Sequence, residues 1–109
     1  MSGNGTLSPA AGTLPIKERL MKLIIAEARE KLKMSFYFDY IPGRTAELLL
    51  ALHEKKKLTG AEMESAAGAS RNSVMRSVSI LKKLGLMKFH GRGHTGYYSL
   101  TDEGEKAML

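Results

Sequence analysis

The chain has 109 residues, no cysteine and a formal net charge of +6 at pH 7. This length fits one domain, and the missing cysteines exclude disulfides, iron–sulfur clusters and zinc sites built on thiolates. No apolar run reaches the roughly 18 residues of a membrane helix and no secretory signal is visible, so we expect no membrane-spanning segment and a cytoplasmic protein.

The first part of the chain divides into a polar tail and a long helix. Residues 1–15 are rich in Gly, Ser, Thr and Pro without periodicity, which predicts a disordered tail. Residues 16–33 have apolar side chains at helical spacing. Their arc around the helix is wider than packing against one small neighbouring element requires. Either the domain, residues 16–109, wraps around this helix, or the helix also packs on a second subunit. The second alternative predicts a homodimer.

The segment SFYFDYIPG interrupts this helical pattern. Aromatic side chains at every second position from Phe36 to Tyr40 indicate a short strand or an extended connection. We expect this cluster to fill the core between helices. Pro42–Gly43 indicates a turn, and Thr45 is the predicted N-cap of the helix that follows.

Two helices joined by a tight turn are predicted next. The first begins near Thr59 or Gly60 and ends at Gly68, because glycine commonly terminates helices. Ser70 is the predicted N-cap of the second helix, and Gly85 ends it.

A β-hairpin and a last short helix complete the predicted order. The runs LMKFH and YYSLT are rich in strand-forming residues. They flank GRGHTG, whose glycines predict a flexible hairpin tip. Thr101 or Asp102 then caps the final helix. The predicted fold class is therefore mainly α with a small β-hairpin.

The net charge is concentrated in residues 68–101. This segment holds six of the 17 Lys and Arg residues and no Asp or Glu, whereas the rest of the chain carries 11 basic and 11 acidic side chains. A concentrated positive field predicts a polyanionic partner, either nucleic acid or an anionic membrane surface.

The helix pair followed by a basic hairpin resembles the winged helix-turn-helix family of DNA-binding transcriptional regulators. GASRNSVMRSV is similar to the turn and recognition helix, and LKKLGLMKF to the exit into the first wing strand. GYYSLTDEGEKAM resembles the second wing strand and following helix of MarR-type and PadR-type regulators. The resemblance implies a winged helix-turn-helix fold and a prokaryotic regulator that binds double-stranded DNA sequence-specifically as a homodimer.

The residues expected to contact DNA are polar or basic. On the recognition helix they are Ser70, Arg71, Asn72, Ser73, Arg76 and Ser77, and on the wing they are Lys88, His90, Arg92 and His94. Arg pairs with guanine and Asn with adenine through two hydrogen bonds each, and a helix N-terminus offers free N–H groups to a phosphate. A wing arginine is attracted by the negative potential of the minor groove.

Other kinds of site find little support in the sequence. His90 and His94 flank a loop, and no cysteine or nearby carboxylate completes a metal site. No phosphate-binding loop or catalytic triad is present, so we expect neither an enzyme nor a cofactor.

Two other functions and one further partner stay open. A winged-helix protein–protein module would have a neutral or acidic recognition face, whereas this face is basic. A DNA-binding accessory protein of replication or of a mobile element has the same sequence features as a regulator. A small-molecule effector would bind between the first helix and the DNA-binding part, near Tyr37 or Tyr40.

Overall fold

The computed structural model describes residues 15–109, without the side chain of His94. These residues form five α-helices and one antiparallel hairpin: α1 (Ile16–Leu32), α2 (Tyr40–Lys55), α3 (Gly60–Ala67), α4 (Arg71–Lys83), β1 (Met87–His90), β2 (Tyr97–Leu100) and α5 (Asp102–Ala107). A short 3-10 turn, Gly93–Thr95, lies between the strands. The prediction of a mainly helical fold with a small hairpin is confirmed. The predicted tail, apart from Pro15, lies outside the described residues.

The core surrounds α2. Leu48, Leu49 and Leu52 of this helix have no exposed surface, since their spacing places them on the same side of the helix. Helices α1, α3 and α4 and strand β2 all pack against α2. Burying one such side chain stabilises a fold by about 1.5–3 kcal/mol, so α2 is the element that holds the others together.

Most of the wide apolar arc of α1 is used within the chain. The side chains that pack on the core, fully or partly buried, are Leu20, Met21, Leu23, Ile24, Ala28 and Leu32. Ile16 remains 39% exposed, and Ile25 is half-buried outside the packed core. The domain thus wraps around α1 and leaves a small apolar remainder. No helix within residues 15–109 is long and apolar enough to cross a bilayer.

Helix α2 begins earlier than predicted, and the predicted turn at Pro42–Gly43 is wrong. Pro42 lies in the first turn of α2, where a backbone N–H would have no acceptor within the helix. Proline therefore removes no helical hydrogen bond at this position. The N–H of Gly43 donates to the carbonyl of Asp39, the actual N-cap residue, at 2.7 Å. Thr45 is therefore a fully buried helical residue and not an N-cap.

The aromatic segment before α2 is neither a strand nor a core plug. Phe36 and Ile41 pack partly against the core. Tyr37, Phe38 and Tyr40 are instead 93%, 69% and 61% exposed. The alternating pattern fails as a guide because α2 starts at Tyr40, inside the aromatic run, and changes the period of the side chains.

The predicted boundaries of the later helices are confirmed. Thr59 and Glu62 form a reciprocal capping box at the start of α3, and Gly68 ends this helix in the left-handed conformation with φ 58°. Ser70 and Thr101 cap α4 and α5 by accepting backbone N–H groups.

The hairpin also pairs with the connection between α2 and α3. In the hairpin, Phe89 lies opposite Tyr98 and His90 opposite Tyr97. On the other edge of β2, Leu58 and Tyr98 exchange two backbone hydrogen bonds of 3.0 and 2.7 Å. This single-residue bridge fixes the hairpin beside the start of α3.

Candidate nucleic-acid interface

The turn between α3 and α4 is fixed by local hydrogen bonds. The N–H groups of Gly68 and Ala69 donate to the carbonyls of Ser65 and Glu64, both at 3.3 Å. The Ser70 hydroxyl accepts the N–H of Ser73 at 3.3 Å. These bonds satisfy free backbone groups at the end of α3 and at the start of α4. They therefore fix the direction of the N-terminus of α4 relative to α3.

Helix α4 has one buried and one exposed side. The buried side chains are Val74, Ser77, Val78, Ile80 and Leu81. The exposed ones are Arg71, Asn72, Met75, Arg76, Ser79, Lys82 and Lys83. Four of the exposed residues are cations and none is acidic, so this side presents an unbalanced positive charge.

Most of the residues predicted on the recognition helix are accessible. Arg71, Asn72 and Arg76 are exposed, and Ser70 is exposed at the N-cap. Ser73 is half-buried, with its hydroxyl 3.1 Å from that of Ser70.

The prediction that Ser77 lies on the exposed side is wrong. It has no exposed surface, and its hydroxyl lies 2.8 Å from that of Thr45 in α2. Ser77 follows Val74 by three positions and precedes Leu81 by four, which places it within the buried stripe.

Two exposed residues of α4 were not among the predicted contacts. Met75 is 39% exposed, and Ser79 is also exposed. They follow Asn72 by three and seven positions, so helical spacing alone places them beside it. Met75 was overlooked because an apolar side chain is assigned to a core by default.

The two faces of the hairpin have different roles. The Phe89 and Tyr98 rings, 4.9 Å apart between centroids, lie on the face towards the helices. On the other face, the His90 ring stacks on Tyr97 at 4.8 Å, and its Nε2 lies 2.7 Å from the Ser99 hydroxyl. The predicted wing residue His90 is therefore already engaged within the hairpin.

The hairpin tip contains a short 3-10 turn closed by two hydrogen bonds. The N–H and hydroxyl of Thr95 both donate to the carbonyl of Arg92, at 3.1 and 2.8 Å. A Cβ on Gly96 would overlap the Phe89 ring and the His90 carbonyl, so only glycine fits there. Arg92 is exposed on this turn, and so is Lys88 on β1. The side chain of His94, also predicted on the wing, lies outside the described part.

A groove of about 360 Å³ separates the hairpin from the helices. Arg71 of α4 lines it together with Gly60, at the start of α3, and Gly93 and Gly96, at the hairpin tip. Glu64 supplies a carboxylate on the same wall. The N-terminal turn of α4 and the hairpin tip thus lie side by side along one groove.

The opposite flank of α4 borders the connection between α1 and α2. Met34 from that connection lines a groove of about 540 Å³ together with Asn72, Arg76 and Lys83. The exposed side of α4 is thus bounded by the hairpin on one flank and by this connection on the other.

The region suggested for an effector contains an open groove. It measures about 500 Å³ and lies between α1, α2 and the α3–α4 turn, with Lys17, Tyr40 and Arg44 among its lining residues. Lys17 pairs with Glu47 at 2.9 Å. Nothing in this lining selects a ligand, so the effector stays a prediction.

A comparison with models of protein families finds no match to this chain, and a comparison with curated proteins finds none that is similar. Its function has to be argued from the geometry of α4, the hairpin and their surroundings.

Proposed function

We propose that this chain is a winged helix-turn-helix domain that binds double-stranded DNA sequence-specifically, as a prokaryotic transcriptional regulator. The observation that carries the proposal is the acid-free, cationic side of α4 beside a hairpin that shares a groove with it. The element order supports it as well, because two helices joined by a tight turn are followed directly by a hairpin, which is the arrangement on which the resemblance rests. The function requires no catalytic group and no cofactor.

The exposed side of α4 fits the major groove in shape and chemistry. An α-helix is one of the few elements that enter this groove, and its first turns approach the base edges. Asn72 and Arg76 are four positions apart on the exposed side and are our candidates for base contacts. Each paired hydrogen bond to the right base discriminates by about 1–3 kcal/mol. Arg71, also exposed, is our candidate for contact with a base or a phosphate.

The hairpin would contact the DNA beside the groove occupied by α4. Arg92 is exposed on the structured tip and Lys88 on the strand that leads to it. A narrow minor groove attracts arginine, and the phosphates attract either cation. His90 contributes by packing Tyr97, and so acts on the shape of the wing.

The proposal includes a homodimer formed through α1. It is supported by Ile25, an apolar side chain of α1 that is only half-buried and lies outside the packed core. A two-fold dimer would place two α4 helices on half-sites separated by about one helical turn of DNA, roughly 34 Å.

Selection from a random duplex library tests the sequence specificity. The wild type should enrich a pseudo-palindrome with half-sites about 10 base pairs apart. Arg76→Ala should lose preference at one position of each half-site. Lys106→Ala, which removes an exposed cation of α5, is the matched control and should select the same sequence. A wild type that enriches no sequence would contradict the specific-binding proposal.

A further inference from the structure

Three of the seven aromatic residues are left largely in solvent. Tyr37, Phe38 and Tyr40 are 93%, 69% and 61% exposed, although aromatic side chains gain most from burial. Tyr37 and Phe38 lie in the connection between α1 and α2 and Tyr40 begins α2, so three exposed rings within four positions form one apolar patch, interrupted by Asp39. Contiguous patches of this kind mark binding surfaces more often than isolated exposed residues do.

Two of these rings are already arranged for stacking. The centroids of Phe38 and Tyr40 are 6.2 Å apart and their planes are inclined by 27°. The connection is held at both ends, since the N–H of Met34 donates to Ala28 at 3.0 Å and Asp39 accepts the N–H of Gly43. Aromatic faces held on a short tethered segment lose little conformational freedom when a planar partner binds.

The patch adjoins the proposed DNA-binding surface. Met34, at one end of the connection, shares a groove with Asn72, Arg76 and Lys83. At the other end, Tyr40 shares a groove with Arg44 and Gly68 of the α3–α4 turn. The connection that carries Tyr37 and Phe38 therefore borders the exposed side of α4 through Met34, on the flank away from the hairpin.

The charges around the patch favour a polyanion over a second copy of the chain. Arg44, Arg76 and Lys83 line the two grooves that border the connection, whereas the exposed Asp39 lies between Phe38 and Tyr40 in the chain and Glu47 pairs with Lys17. Cations therefore remain in excess, and Arg44 has a buried Nε without a hydrogen-bond partner among the described residues. Two copies meeting through this surface would bring like charges together, which opposes association. Exposed aromatic rings among cations are the combination by which proteins bind single-stranded nucleic acid, since every base has a face to stack on.

We propose that Tyr37, Phe38 and Tyr40 form a stacking platform for unpaired bases next to the duplex held by α4. This proposal rests on the proposed function, because α4 must first bind the duplex. Base faces are covered within an intact duplex, so the platform gains its contacts only where strands separate or end. The preferred target is thus a junction between double-stranded and single-stranded DNA.

Fluorescence anisotropy with matched probes tests the platform. The probes are a blunt duplex and the same duplex with a single-stranded overhang of about six nucleotides, of either polarity. The wild type should bind one overhang probe about tenfold more tightly than the blunt one, since one stacked base contributes roughly fivefold to 150-fold. A 2-aminopurine in that overhang should be quenched on binding.

Substitutions in the platform separate stacking from other causes. Tyr37→Ala combined with Phe38→Ala should abolish both the tenfold gain and the quenching, whereas Tyr37→Phe should keep them. Both side chains are exposed, so the thermal unfolding of these variants checks that the fold is intact. An equal affinity of the wild type for blunt and overhang probes would overturn the platform alone.

Two further outcomes complete the test. Failure of the wild type to bind the blunt duplex at low salt would remove the proposed function itself. A change from dimer to monomer in the double alanine variant, measured by light scattering, would identify the patch as a subunit interface and overturn the stacking proposal.

Discussion

The buried hydroxyls of Thr45 and Ser77 lie 2.8 Å apart and join α2 to α4. The Thr45 hydroxyl also lies 2.7 Å from the carbonyl oxygen of Ile41. A carbonyl only accepts, so the Thr45 proton is directed to Ile41 and the Ser77 hydroxyl donates to Thr45. This pair lies within the buried stripe of α4, beside Val74, Val78 and Leu81, whose packing keeps that side of the helix inward.

Removing either hydroxyl should lower stability without altering the exposed side of α4. Thr45→Val leaves the Ser77 hydroxyl buried and unpaired and should cost about 1–3 kcal/mol, whereas Ser77→Ala should cost about 1 kcal/mol. The double variant should cost less than the sum, because both polar partners are removed together. Urea unfolding measures these values.

DNA affinity provides the check on Ser77. At a temperature where the variant remains folded, Ser77→Ala should bind duplex DNA as the wild type does. Ser79→Ala is the matched substitution, because it removes a serine hydroxyl from the exposed side of the same helix. Weakened DNA binding by folded Ser77→Ala would show that Ser77 reaches the DNA.

Gly96→Ala should disrupt the hairpin. Its Cβ would overlap the Phe89 ring and the His90 carbonyl, and forcing a methyl group into such a site costs about 1–3 kcal/mol. Gly60→Ala is the control, because a Cβ there meets no atom within 4 Å. Thermal unfolding should separate the two variants, and equal melting temperatures would show that the tip is not packed as described.

Arg92→Ala should weaken binding to all duplexes alike. If Arg92 contacts the phosphates or the minor groove, its loss should reduce the magnitude of the salt slope by about 1 per subunit without changing the preferred sequence. Affinity for the selected site and for an unrelated duplex, measured at several salt concentrations, checks this. A loss confined to the selected site would instead indicate base recognition by the tip.

Ile25→Glu should separate the subunits while leaving the fold intact. Ile25 is half-buried outside the packed core, so a charge there is tolerated in the monomer but not in an apolar interface. Light scattering should give twice the 12.0 kDa chain mass for the wild type and the single mass for the variant. Glu30→Lys, a charge reversal at an exposed position on another side of the same helix, is the control. A monomeric wild type at micromolar concentration would remove the dimer.

The sequence predicts best where local chemistry decides the structure. Thr59, Gly68, Ser70 and Thr101 are found at the predicted helix ends, because capping depends on a side chain and backbone groups within a few residues. The acid-free cationic character of α4 is likewise visible in the sequence. The helical spacing of α4 also assigns Ser77 to the buried side, although the polar hydroxyl of Ser77 favours the exposed side.

Prediction fails where long-range packing decides. Pro42 and Gly43 look like a turn, but Gly43 lies buried close to Met21 of α1, a contact between distant parts of the chain. The exposure of Tyr37 and Phe38 is equally non-local, since apolar composition predicts burial and only the fold reveals that no element of residues 15–109 covers them. The adjacency of Arg71 and the hairpin tip likewise depends on the Leu58 bridge.

The salt dependence of duplex binding tests the central claim most directly. Random duplex DNA is titrated with the wild type, Arg76→Ala and Lys106→Ala between about 50 and 200 mM salt. If each subunit neutralises about five phosphates, the logarithm of the wild-type affinity should fall against the logarithm of salt concentration with a slope of about −9 for the dimer. Arg76→Ala should bind more weakly than Lys106→Ala. A wild type with no affinity at low salt, or with a slope near zero, would contradict the account.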